Sequence, residues 1–160
     1  MIYPKKFISK KPIRTFRDLE VYQKTMECSV LITKDLIPKL IKFGHEKGKK
    51  KKEVEYMFSD SVINCCMSIP LYIGEAHSIR FANFKEGNIL LERSMAGCNK
   101  IVIYLDQIKG IYGPKVDEDL IGDLINRYTN VRIKMFRLGK SWKRFKENDL
   151  ENPRKKDFKY

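Results

Sequence analysis

At 160 residues and 42% hydrophobic content, the chain has the size and apolar fraction of one globular domain, which excludes a wholly disordered polypeptide. Its 33 lysines and arginines against 20 acids give a formal net charge of +13, so nucleic acid is the leading partner class and a membrane surface the weaker one. No run of about 18 apolar residues is present to span a bilayer. The basic N-terminus MIYPKKFISKKPIR lacks an apolar h-region, so a cytoplasmic location is expected.

Residues 1–14 hold five bases and no acid and read as a flexible basic arm. Thr15 and Asp18 have capping-box spacing, which predicts a first helix opening at Thr15. Leu19, Tyr22, Met26, Ser29 or Val30, Thr33, Ile37 and Leu40 mark its expected buried face, and Pro38 either kinks this helix or closes it near Lys34. The GHEKGKKKKE stretch, Gly44 to Glu53, reads as a solvated loop carrying Lys49, Lys50, Lys51 and Lys52.

A second helix is expected from near Val54 to about Ser78, with Val62, Cys65 or Cys66, Ile69, Ile73 and Ala76 inward. Pro70 lies within it, where proline costs roughly 3 kcal/mol, so neighbours must hold this helix on several sides. A third helix follows a break at residues 80–83. Its core positions are Phe84, Leu91, Ser94, Cys98, Ile101, Leu105 and Ile108, and Gly110 is the expected terminator. Asp117, Glu118 and Asp119 open a fourth, with Ile121, Leu124, Tyr128, Val131, Met135, Leu138, Trp142 and Phe145 inward. Residues 147–160 read as a polar tail. No strand-length alternation occurs, and three of the connections are short. The expectation is an all-α, antiparallel up-down-up-down four-helix bundle over residues 15–146.

Two runs carry a resemblance. FRDLEVYQ, from Phe16 to Gln23, and SIPLYIGE, from Ser68 to Glu75, resemble the small bacterial four-helix-bundle proteins named after intervening sequences in 23S ribosomal RNA genes. The accessory variability determinant of diversity-generating retroelements uses the same bundle. The basic excess, LIPKLIKF from Leu36 to Phe43, and LGKSWK from Leu138 to Lys143 lean toward that branch. The lysine run and the long C-terminal tail depart from both patterns. The resemblance implies a homopentamer that binds a reverse transcriptase and its template RNA or cDNA. The alternatives are a plain intervening-sequence-type bundle of unestablished role, or a protein-interaction scaffold.

Catalysis has no support in the motifs. His45 and His77 lack partners at metal-ligand spacing, and no Glu-x-x-His pair, H-E-x-x-H, P-loop or G-x-S-x-G occurs. No enzyme activity, metal or cofactor is therefore expected. The four cysteines, Cys28, Cys65, Cys66 and Cys98, sit in apolar periodicities and read as core. Glu75 is assigned a structural role, as a carboxylate held by helix ends or a base such as Arg80.

The candidate nucleic-acid-binding residues are the basic ones. They are Lys49 to Lys52 in the loop, Arg80, Lys85, Arg93 and Lys100 on the second and third helices and the break between them, and Arg127, Lys134, Arg137, Lys140, Lys143 and Arg144 on the fourth. Such cations bind a polyanion through counterion release, a salt-dependent and sequence-independent effect. Tyr3, Phe7, Phe158 and Tyr160, in the basic ends, are candidates for base stacking, whereas Phe16, Tyr22, Tyr128, Trp142 and Phe145 are expected mainly in the core.

Overall fold

The computed structural model describes residues 12–45 and 49–151, with side chains at all of these except 42–45 and 49–57. Every regular element among them is helical, as expected. A single 3-10 turn, Phe16–Asp18, precedes α1 (Glu20–Leu31), which runs through a π turn (Ile32–Leu36) into α2 (Ile37–His45). Then follow α3 (Lys49–Ile79), α4 (Phe84–Tyr112), a 3-10 turn (Gly113–Lys115) and α5 (Glu118–Glu151). Because α1, the π turn and α2 are continuous, four helical staves result.

The capping box forms as predicted. Thr15 accepts from the Arg17 N–H, and Asp18 Oδ2 accepts from the Thr15 N–H at 3.0 Å. What it caps is one turn only, because Leu19 returns to extended geometry (φ −72°, ψ 125°) before α1 begins. That break uncouples Leu19 from the helical phase. Of the expected positions Leu19, Ser29, Ile37 and Leu40 are buried and Tyr22 half-buried, whereas Met26, Val30 and Thr33 are exposed and Val21, Thr25, Cys28, Ile32 and Leu36 complete the inward face. The π turn settles the Pro38 question: the Ile37 N–H bonds the Ile32 carbonyl, the ladder shifts by one residue, and the stave continues past the proline.

Three other boundaries differ from expectation. Lys49 to Lys52 form the first turn of α3 rather than a loop, which accords with the good helix propensity of lysine. The terminator of α4 is Gly113, at φ +57°, and Gly110 lies inside the helix. Finally, α5 continues through residues 147–151, since the polar tail begins with Glu, a good helix former. Residues 1–11 of the predicted arm and 152–160 of the predicted tail lie outside the described residues.

Pro70 sits in an unbroken α3 and is buried. It has no N–H for the carbonyl of Cys66 four residues earlier. The buried Ser29 hydroxyl, from α1, donates to that carbonyl at 2.9 Å, sharing its proton with the Thr25 carbonyl at 2.8 Å. On the other side Ser94, from α4, donates to the Ile69 carbonyl at 3.0 Å. Neighbouring helices thus flank the proline on two sides and supply hydrogen-bond donors there.

The core runs the length of the bundle, from Leu36 and Leu40 through Ile69, Leu91, Ile101 and Tyr128 to Trp142. On α4 and α5 its members match the predicted faces except that Phe84 and Leu138 are half-buried and Phe145 is exposed. Small residues set the closest approach. A Cβ on Gly97 would stand 2.8 Å from Ile69 Cγ1, and one on Gly87 would stand 3.0 Å from the Arg80 Cα.

Candidate nucleic-acid interface

The predicted cations fall into separate groups. Lys49 to Lys52 lie at the start of α3, and their side chains are outside the described set. Arg93 and Lys100 lie two turns apart on α4 and line a cleft of about 520 Å³ against Ser61, Asn64, Ser68 and Tyr72 of α3. No acid lines this cleft, and neither cation makes an ion pair among the described residues.

The second group is less available than the sequence implies. Arg127, Lys134 and Arg137 of α5 line a smaller cleft, about 290 Å³, with Lys24 and Asn130. There Lys134 Nζ stands 2.6 Å from Glu20 Oε1, and Arg127 Nε 2.8 Å from Asp123 Oδ2 with Glu27 nearby at 3.8 Å. These acids already neutralise two of the expected phosphate contacts. Arg137 is exposed and makes no ion pair among the described residues.

The third group gathers where the α3–α4 turn meets the end of α5. Lys85, Lys143 and Arg144 are exposed there, and Lys140, one turn back, lies 4.7 Å from the Phe136 ring centroid. Arg80 is committed to structure. Its guanidinium donates to the His77 carbonyl at the end of α3, and its Cζ lies 4.1 Å from the centroid of Phe81 and 5.8 Å from that of Trp142. Burial lowers its pKa from the usual arginine value.

Sequence reasoning missed Phe81 and misplaced Phe145. The two residues are 65% and 58% exposed, with ring centroids 5.7 Å apart and planes tilted by 34°. Lys146 places its Nζ 4.5 Å from the centroid of the neighbouring Phe84. The signal was present in the sequence as two runs in which aromatic and basic residues interleave, RFANFK from Arg80 to Lys85 and KRFK from Lys143 to Lys146.

Glu75 has neither the helix-end nor the Arg80 partner expected of it among the described residues. It is exposed on the rim of an apolar groove of about 480 Å³ lined by Phe16, Met26, Met67, Pro70 and Leu71, and it has no hydrogen-bonding or ionic partner among the described residues. Its place in the helix turns it outward between the inward Ile73 and Ala76, and Arg80 is engaged elsewhere. His77 is buried beside Trp142, and burial, with the Arg80 charge second, lowers its pKa below the ordinary histidine value. The cysteines are buried and unpaired with one another. Burial pushes Cys28 and Cys66 up to about 11 and Cys98 to about 12, so all three stay protonated and poorly nucleophilic at neutral pH.

Among the described residues no three metal-ligating side chains come together, and no helix is long and apolar enough to cross a membrane. Comparison with protein-family models, with curated proteins and with solved structures finds no match.

Proposed function

We propose that this chain is a non-enzymatic nucleic-acid-binding accessory protein, working beside a reverse transcriptase of a diversity-generating retroelement on template RNA or cDNA. The observation that carries the binding is α5 itself. From Leu124 to Lys146 it holds eight bases and no acid, and Arg137, Lys140, Lys143 and Arg144 are exposed and free of ion pairs among the described residues. Outward cations without internal counter-charges are what phosphate binding by counterion release needs. The retroelement role rests on the resemblance of the FRDLEVYQ and SIPLYIGE runs.

The bundle is read as antiparallel and up-down-up-down. Contacts near opposite ends of the paired staves support this: Glu20 with Lys134 but Lys39 with Asp117, and the close approach of Gly139 to Leu91 with Lys146 over Phe84. The assembly is read as a homopentamer, for which the groove around Met26, Met67 and Leu71 offers an apolar contact face. Light scattering would then give five times the 18.9 kDa protomer.

Charge reversal at Arg137, Lys140 and Arg144 together tests the binding. Affinity for a structured RNA is expected to fall at least a hundredfold, and the steep fall of affinity with salt to flatten, while the far-UV helical signal persists. Unchanged affinity, or binding by the unaltered protein that is insensitive to salt, would overturn the proposal.

A further inference from the structure

We propose that the exposed Phe81–Phe145 pair is a base-stacking platform for single-stranded nucleic acid, a reading that rests on the nucleic-acid function above. Two large apolar rings exposed at one end of a bundle need an explanation, because neither contributes to the core. The rings come from distant parts of the chain, the α3–α4 turn and the end of α5, and stand 5.7 Å apart by centroid. The tertiary fold assembles the pair.

The surroundings select the ligand. The two stretches that carry the rings, Arg80 to Lys85 and Lys143 to Lys146, hold five bases and no acid. The Arg80 guanidinium covers one face of Phe81 and Lys146 lies over the adjacent Phe84, so a stacking base would meet the remaining exposed surface of the Phe81–Phe145 pair, with cations beside it. An apolar protein partner would be poorly served by this dense positive charge. A nucleotide strand is served by both features: a base places its π-face on a ring while the flanking phosphates meet Lys85, Lys143 and Arg144. Stacking reads no particular base, since every base has a π-face, and it contributes a part of the affinity that salt does not weaken.

The test is the full chain carrying Phe81→Leu and Phe145→Leu, which keeps apolar bulk and removes both rings. Fluorescence anisotropy would follow a labelled oligouridylate of roughly 12 nucleotides and an abasic strand of equal length. The expected loss on oligouridylate is about tenfold to a hundredfold, from stacking energies of single bases. The slope of log affinity against log salt should not change, because no cation is removed. On the abasic strand the variant and the unaltered protein should bind equally, and Phe81→Tyr with Phe145→Tyr should retain affinity for oligouridylate.

Equal binding of oligouridylate by the Leu variant and the unaltered protein would overturn the platform, as would an equal loss on both strands. So would a change in the variant's molecular mass, which would mark the rings as a subunit contact. If the unaltered protein binds both strands and only the ring dependence is missing, the platform fails and the binding function stands. If it binds neither strand at low salt, both fail.

Discussion

Along the α3/α4 seam, Gly97 lets the helices close until an added Cβ would stand 2.8 Å from Ile69 Cγ1, and the buried Ser94 hydroxyl bonds the Ile69 carbonyl. Along the α1/α5 seam the polar contacts are ion pairs in water: Lys134 with Glu20, Arg127 with Glu27. The first seam depends on shape and leaves its cations, Arg93 and Lys100, without ion pairs among the described residues, Lys100 lying 5.8 Å from the Tyr104 ring centroid. The second spends its cations on surface pairs that contribute little stability. A count of basic residues therefore overstates the charge that a polyanion meets, and by different amounts on the two sides of the molecule.

The α3/α4 seam should yield most to an added methyl group. Gly97→Ala forces Ile69 or the helix axes to move, at about 1–3 kcal/mol, against a helix-propensity gain of about 0.5–1 kcal/mol. Urea unfolding should show a net loss of up to about 2.5 kcal/mol. At Gly122 of α5 nothing lies within 4 Å of the new Cβ. There the same substitution should stabilise by about 0.5–1 kcal/mol. If the two glycines respond alike, close approach does not distinguish the seams.

Ser29→Ala sharpens the comparison from the α1 side of α3. It removes the donor to the Cys66 carbonyl that Pro70 cannot serve, and should cost about 1 kcal/mol. In a Pro70→Ala background the cost should shrink, because residue 70 regains an N–H for that carbonyl. A double-mutant cycle without coupling would show that Ser29 does not compensate the proline.

The smallest effect belongs to the ion-paired seam. Glu20→Gln with Glu27→Gln should change stability by less than about 0.5 kcal/mol. It should also raise affinity for oligouridylate about twofold to fivefold, chiefly by releasing Lys134 for phosphate, since Arg127 keeps its closer partner Asp123. A stability loss well beyond that would make these pairs structural, and unchanged affinity would place the cleft outside the binding surface.

Much of the fold was legible because helical periodicity is a local signal. The buried positions of α4 and α5 followed from spacing alone, from Leu91 to Ile108 and from Ile121 to Trp142. On the first stave Leu19, Ser29, Ile37 and Leu40 were read correctly, but Met26 and Thr33 were misjudged because extended Leu19 breaks the phase between the capping box and the helix. Phe145 was misjudged because it continues the apolar spacing of α5 past the point where neighbouring helices cover it. The candidate interface was legible only as composition. Which arginines and lysines remain unpaired depends on acids over a hundred residues away, as with Glu20 and Lys134.

The sequence by itself determined that this protein is helical, that its staves are long, and that a strong positive charge must lie outside the core. Local propensity, apolar spacing and net charge need no knowledge of neighbours. Tertiary structure alone decided that Ser29 answers Pro70, that Glu20 and Glu27 quench part of the α5 charge, and that Phe81 meets Phe145. Each of these is a contact between segments far apart in the chain, and no local pattern specifies which distant side chain the packing brings within reach.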